Sequence, residues 1–273
     1  MKDFKNKVVV ITGGATGIGF SFARQFGNRG AKIVLAEPRE NRLQEAVGAL
    51  GELDIEAEYF CCDVTDRQQL EALADFAWET CGHVDVIVNN AGIVIPGVPV
   101  VETPEEDVRS IFDVNFFGVW NGSAIFGKRF IEQGTPAAIY NLGSENSWFH
   151  GVPFASAYVA TKHAVLAMTE GLREEMPDFV EVGLICPGFV RSELSDNPEA
   201  AALGMDTDRY TDIAMAQIEN GEFYIVSHAY NKVRIDERYK AVSRAYDTYA
   251  PRYEGDDEYD ARTLVAKMKQ AEG

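Results

Sequence analysis

A single α/β domain, doubly wound around a parallel sheet, is the fold that the sequence predicts. Three observations carry the prediction. Short, nearly continuous apolar runs recur along the chain, as strands covered by helices on both faces should. Segments of helical period separate them, and a glycine-rich turn joins the first run to the first such segment. The chain has 273 residues, enough to bury a sizeable core, and its 46% hydrophobic and 25% charged content is that of a folded protein.

The elements follow in order. A first strand at 8–11 leads to a helix at 18–26, and strands at 33–36 and 59–61 bracket a helix at 39–50. Asp63-Val64-Thr65 is a start signal for a helix at 66–80, before a strand at 86–88. A long helix is expected from residue 104 to about 128, with Thr103 as N-cap, Pro104 in the first helical position and Glu105 and Glu106 in the first turn. Strands at 138–142 and 182–186 flank a helix whose Ala157, Ala160, Ala164 and Ala167 permit close packing. After Pro187 the alternation stops. Residues 193–221 are polar and alanine-rich with some helical period, and a last strand is expected at 223–226. Seven tyrosines fall between 224 and 259, beside an acidic run at 254–258 that reads as a solvated face or loop. No repeat or low-complexity linker divides the chain. It therefore reads as one domain, 1–273: a core at 5–192, a lid at about 193–221, and a last strand with a helical C-terminal extension at 222–273. That tail suits a pair of helices folded over a site or into a partner subunit.

Charge and cysteine usage narrow the class. Asp and Glu number 43 against 25 Lys and Arg, a formal charge of −18. Such a chain repels phosphate backbones and anionic lipid, so neither nucleic acid nor a membrane surface is an expected partner. No apolar run approaches the roughly 18 residues of a membrane span, and the N-terminus runs into a strand without a signal peptide. Cys61, Cys62, Cys81 and Cys186 lack ligand spacing and read as reduced core thiols, with Cys61-Cys62 at a buried strand end. His150 and His228 have no third ligand, so no metal is expected. A cytoplasmic protein is the expectation.

The first strand ends in Thr12-Gly13-Gly14-Ala15-Thr16-Gly17-Ile18-Gly19. Glycine there lets the chain turn sharply and lets a pyrophosphate approach backbone N–H groups at a helix N-terminus. The spacing is Gly-x-x-x-Gly-x-Gly. Glu37 closes the second strand, where a carboxylate accepts both adenosine ribose hydroxyls and repels a 2′-phosphate. That favours NAD, with Arg39 facing solvent at the start of the next helix. Asp63 and Val64 follow the third strand, at the place of an adenine edge. Asn89-Asn90-Ala91-Gly92 closes the fourth, where small residues let a cofactor lie on the strand ends. Farther along, Tyr158 and Lys162 lie four apart on a helix, so phenol and ammonium share a face. An ammonium beside a phenol favours the phenolate, which would make Tyr158 a general base near neutral pH. Trp148, Phe149 and Phe154 either line an apolar pocket or fill core.

Taken in order over roughly residues 5–195, these motifs resemble the short-chain dehydrogenase/reductase family and its Rossmann fold. The resemblance rests on Gly13, Gly17 and Gly19, on Asn89-Asn90-Ala91-Gly92, on Asn115, Ser144 and Tyr158 with Lys162, and on Pro187-Gly188. It implies an NAD-dependent oxidoreductase that moves a hydride between nicotinamide and a secondary alcohol or ketone. Tyr158 would be the acid/base, and Lys162 would lower its pKa and hold the nicotinamide ribose. Ser144 would orient the substrate oxygen, and Asn115 would anchor a water leading to Lys162. The cofactor would meet Gly13, Thr16, Gly17, Ile18, Gly19, Glu37, Asp63, Val64, Asn90, Ala91, Gly92, Tyr158 and Lys162, with Pro187, Gly188, Val190 and Ser192 around the carboxamide. The family's Ser stands thirteen residues before Tyr, where this chain has Glu145. A one-residue insertion in 145–152 puts Ser144 in its place and leaves Ser147 as a rival. The family's C-terminal glycine pair is replaced by Glu222-Phe223-Tyr224-Ile225-Val226-Ser227-His228. The expected substrate is a small molecule, bulky and hydrophobic such as a hydroxysteroid or an aryl alcohol, and the expected assembly is a homodimer or homotetramer. Two rivals stand beside this reading. One is an inactive NAD-binding scaffold or sensor; the other is an S-adenosylmethionine methyltransferase, which would have no use for the Tyr/Lys pair.

Overall fold

The computed structural model describes residues 2–192, 199, 202–250 and 252–271. It divides into two compact units, 1–231 and 232–273. The first holds a seven-stranded, all-parallel sheet in the order β3-β2-β1-β4-β5-β6-β7. Its strands are β1 Val8–Thr12, β2 Lys32–Glu37, β3 Ala57–Cys61, β4 Val86–Asn89, β5 Ala137–Leu142, β6 Val180–Cys186 and β7 Tyr224–Val226. Helices α1 Gly17–Gly27, α2 Glu40–Gly51, α3 Arg67–Cys81, α4 Glu105–Phe112, α5 Val119–Gln133, α6 Ser156–Glu175 and α7 Thr207–Asn220 complete it. The doubly wound parallel fold read from the sequence is the fold observed.

Why the strands are apolar throughout is visible in β1. Side chains alternate across a strand, so Val9 and Ile11 enter one face of the sheet and Val8 and Val10 the other. The first pair packs with Ile33 and Leu35 against Phe22, Phe26, Leu43, Leu50, Tyr210 and Ile218 of α1, α2 and α7. The second packs with Val34, Ile87 and Ile139 against Leu70, Leu73 and Ala77 of α3 and Ile125, Phe126 and Phe130 of α5. α6 joins that second layer through Val165, beside Leu184 and Cys186 of β6. Both faces are covered, and a polar alternation has no place.

Helix ends depart from the expected signals in two places. The cap of α3 is Asp66, whose carboxylate accepts from the Gln68 N–H at 2.8 Å, while Asp63 turns onto Thr65, with N and Oγ1 at 2.9 and 2.8 Å. Thr103 does not cap the long helix. Its hydroxyl donates to the Pro99 carbonyl at 3.0 Å, Pro104 is the extended residue before the helix, and α4 begins at Glu105. From there the helix runs on to Gln133, interrupted by a π-turn at Asp113–Gly118 between α4 and α5.

The cysteine expectation holds in part: Cys62 and Cys186 are buried, but Cys61 at the end of the edge strand β3 is exposed, because β3 has one neighbour only. The last strand belongs to the first unit, which closes at Asn231. Of the expected lid, residues 193–198, 200 and 201 lie outside the described residues, and α7 forms its second half. The second unit contains α8, Asn231–Tyr249, a 3₁₀ turn at Asp256–Tyr259 within the acidic run, and α9, Ala261–Ala271. Tyr239, Tyr246, Tyr249, Tyr253 and Tyr259 are all exposed.

Candidate active site

Six strands deliver their C-terminal ends to one edge of the sheet, and there the expected residues meet. The β1–α1 turn is tight. Gly13 and Gly17 have φ of +59° and +54°, a region that favours glycine. A Cβ on Gly13 would stand 2.8 Å from Ala91 Cα, and one on Gly19 would strike the Gly13 carbonyl. A Cβ on Gly17 would reach Ser192 at 3.5 Å, so the loop after β6 faces the glycine turn across a narrow gap. Asn90 locks the turn: its Nδ2 donates to the Thr12 and Gly13 carbonyls, both at 2.9 Å. Its backbone N–H is also held within the protein, donating to Thr12 Oγ1 at 3.0 Å.

Glu37 is buried at the end of β2. Here Arg39 departs from expectation. Its Nε donates to Glu37 Oε1 at 2.5 Å, so the guanidinium folds back onto the carboxylate instead of facing solvent only. A buried carboxylate needs such a partner, and Pro38 leaves the next side chain in reach. Asp63 is exposed, with Oδ1 of its carboxylate accepting from the Thr65 N–H and hydroxyl, and Val64 is buried against Gly118. Ala91 and Gly92 extend the same edge. Asn115, fully buried, sits in the π-turn; its Nδ2 donates to the Ile93 carbonyl at 2.9 Å and its Oδ1 accepts from the Ile93 N–H at 2.8 Å. A π-turn aims a side chain that regular helix would carry elsewhere, and such turns are frequent at functional sites.

Ser144, at the end of β5, caps the turn that follows by accepting from the Asn146 N–H at 3.1 Å, and its hydroxyl lowers the pKa of the Tyr158 phenol on α6. Ser147 is turned away, with its hydroxyl donating to the Lys162 carbonyl at 2.9 Å and accepting from the Ser144 N–H at 3.2 Å. Lys162 is buried; its Nζ donates to the Leu142 carbonyl at 2.8 Å and lies 5.7 Å from the Tyr158 ring centroid. Burial lowers its pKa to about 8. The phenol of Tyr158 stands above its ordinary value, where the Tyr/Lys pair alone predicts a fall. Desolvation is the largest cause, Ser144 opposes it, and the Glu145 carboxylate adds to it. The ammonium is too far off, and too engaged with Leu142, to reverse this.

Pro187 accepts from the Glu145 N–H at 2.8 Å, and Gly188 is packed so closely that a Cβ would strike the His228 ring. Val190 is buried and bridges to Met205. Phe149 is core, Trp148 packs edge-on against Tyr224, and Phe154 is exposed with φ +63°. Two residues that sequence reasoning did not single out complete the rim. Tyr230 and Asn231, just past β7, both donate to Glu145 Oε2, at 3.3 and 2.5 Å. Their only signal was a polar pair a few residues after the last strand. A separate cavity of about 330 Å³ lies at the opposite edge, lined by Asn6, Lys32, Glu56 and His83 among others, and holds none of these groups.

The residues present fit a dinucleotide: a glycine cradle that side chains would fill, a buried carboxylate at the end of β2, and a buried lysine beside a phenol. Fold and site together define a nucleotide-dependent oxidoreductase. The sequence matches the family described as short chain dehydrogenase over residues 7–202, and the chain belongs to that family. It is 30% identical to the 1-deoxy-11-beta-hydroxypentalenate dehydrogenase of Streptomyces exfoliatus, over 88% of this chain and 90% of that protein. It is 29% identical to the C alpha-dehydrogenase of a Sphingobium species, over 98% of this chain and 94% of the other. The crystal structure of a short chain dehydrogenase/reductase from Burkholderia phymatum in complex with NAD superposes with a TM-score of 0.85, at 28% identity, covering 90% of this chain and 97% of that one. The chain is accordingly an NAD(P)-dependent oxidoreductase acting on CH–OH groups of small molecules. No helix among the described residues is long and apolar enough to cross a membrane.

Proposed function

We propose that this chain is an NAD-preferring dehydrogenase of secondary alcohols, working on an apolar substrate such as an aryl alcohol or a hydroxysteroid. The observation that carries the reading is the buried Lys162 ammonium 5.7 Å from the ring of Tyr158, one helical turn away on α6, with the Ser144 hydroxyl acting on the same phenol. NAD, when bound, supplies the hydride-accepting nicotinamide. Ser144 holds the substrate oxygen, and Tyr158 takes the hydroxyl proton as the carbinol becomes a ketone. Lys162 keeps a positive charge near the phenol below about pH 8 and is placed for a ribose hydroxyl. Gly13, Thr16, Gly17, Ile18 and Gly19 offer backbone N–H groups to the pyrophosphate. Pro187, Gly188, Val190 and Ser192 border the nicotinamide end. The cytoplasm, and a homodimer or homotetramer, complete the proposal.

Turnover measured as reduced cofactor, with NAD and a panel of alcohols, tests it. Tyr158→Phe is expected to lower kcat by about 10²–10⁴-fold with cofactor affinity nearly unchanged, since general acid–base catalysis is worth that much. More than a tenth of the activity surviving would refute the assignment. The cofactor preference rests on Glu37. Wild type is expected to favour NAD over NADP by about tenfold in kcat/KM, a difference of only about 1.4 kcal/mol. Glu37→Ala removes the carboxylate and leaves the Arg39 guanidinium beside the place of a 2′-phosphate, so the ratio is expected to turn towards NADP. An unchanged ratio clears Glu37 of the role.

A further inference from the structure

We infer that Glu145 selects the substrate: its carboxylate receives a second hydrogen-bond donor, a hydroxyl or an ammonium, on the carbon next to the reacting carbinol. The inference rests on the alcohol-dehydrogenase reading above. Glu145 follows Ser144 directly in the chain at the start of the turn after β5, so this carboxylate belongs to the residue beside the one proposed to hold the reacting oxygen. Its charge is felt at the Tyr158 phenol. It is half-buried, and it is held in place from two sides. Its N–H is tied to the Pro187 carbonyl at 2.8 Å, on the loop after β6. Its Oε2 takes the Asn231 amide at 2.5 Å and the Tyr230 hydroxyl at 3.3 Å, from the segment after β7. Tyr230 itself packs edge-on against His228, whose ring covers Gly188.

Such a clamp fixes one oxygen and leaves acceptor capacity on the other. An ionised carboxylate accepts only, with room for about four donors over its two oxygens. Both donors described here fall on Oε2. A hydroxyl or ammonium that reaches Oε1 forms a charge-assisted bond. A purely apolar arm in the same place desolvates the charge and returns nothing, which is the stronger form of discrimination. The substrate class is therefore a vicinal diol or a vicinal amino alcohol, with the apolar part of the molecule beyond it.

The test uses one carbon skeleton in three forms: 1-phenylethanol, 1-phenylethane-1,2-diol and 2-amino-1-phenylethanol, each with NAD and the full-length protein. Wild type is expected to favour a donor-bearing form over 1-phenylethanol by about tenfold or more in kcat/KM. Whichever of the diol and the amino alcohol gives the larger ratio identifies the donor. Glu145→Gln is expected to lower that ratio by about tenfold, and Glu145→Asp to retain more of it than Glu145→Gln does. Should Glu145→Gln not fold, Asn231→Ala, which loosens the clamp, is expected to lower the ratio too. An active wild type without preference overturns the inference and leaves the dehydrogenase reading standing. A ratio that survives Glu145→Gln, or Asn231→Ala in its place, does the same. A wild type inactive on these three and on the wider alcohol panel removes both.

Discussion

Tyr158 must hold and release a proton in surroundings that favour its neutral form. Burial and the Glu145 carboxylate push the phenol up, and the Ser144 hydroxyl pulls it down. The groups that face it are Ser144 and Glu145 on the loop after β5, Cys186 at the end of β6 and Lys162 on its own helix. Two substitutions should therefore move the pH dependence in opposite directions. For alcohol oxidation the phenolate is the active form, so kcat/KM rises with pH through the phenol's titration. Glu145→Gln removes a charge that opposes ionisation and should shift that midpoint to lower pH. Ser144→Ala removes a hydroxyl that favours ionisation and should shift it to higher pH. Profiles of kcat/KM against pH for both variants decide it; a shared direction would mean that neither acts through the phenol. At this scale the sequence was informative where chemistry is carried by ordered motifs. Tyr158, Lys162 and Ser144 were legible because type and order together are rare. The Arg39–Glu37 pair and the grip of Tyr230 and Asn231 on Glu145 were not, since each depends on where a side chain folds back, and spacing is silent about that.

Between the elements, polar groups are buried in a way that leaves little room for change. Asn89 at the end of β4 donates through Nδ2 to Asn141 Oδ1 of β5 at 2.8 Å and to Ser123 of α5 at 3.2 Å, and Asn141 donates to Thr169 of α6 at 3.1 Å. Gly122 lies over this network, and a Cβ there would strike Asn89 Oδ1. Gly122→Ala is thus expected to cost about 2 kcal/mol, by forcing the network apart, and to lower Tm by about 4–8 °C. Thermal denaturation measures it, and a Tm equal to wild type would show that α5 can shift freely. The strands and most helices were readable in advance because both sheet faces are covered and glycine or proline marks the ends. The π-turn around Asn115 was not. A helix that gains one residue in a turn keeps nearly the same apolar spacing, so period alone does not register it. Thr103 misled for a related reason: a good capping residue was in place, but its hydroxyl had already been taken by Pro99.

For the molecule as a whole, the division at Asn231 separates the sheet from the tyrosine-rich helices. All proposed cofactor contacts lie in the first unit. A chain ending at Asn231 should keep its NAD affinity within about threefold, while KM for the alcohol or the subunit count changes. Calorimetry, steady-state kinetics and light scattering test this together; unchanged KM and unchanged mass would leave the tail without either role. The tail was legible as helical, but the sequence does not say what its exposed tyrosines rest on. The strand order carries one more consequence, for synthesis. β2 joins β1, and β3 joins β2; then β4 takes the opposite flank of β1, and β5, β6 and β7 follow outward. Every strand that leaves the ribosome finds an open flank of the growing sheet, and none has to be inserted between two neighbours already paired. The chain can be built vectorially, with β1 as the founding strand and β7, the last to arrive, closing the flank beside which Tyr230 and Asn231 take hold of Glu145.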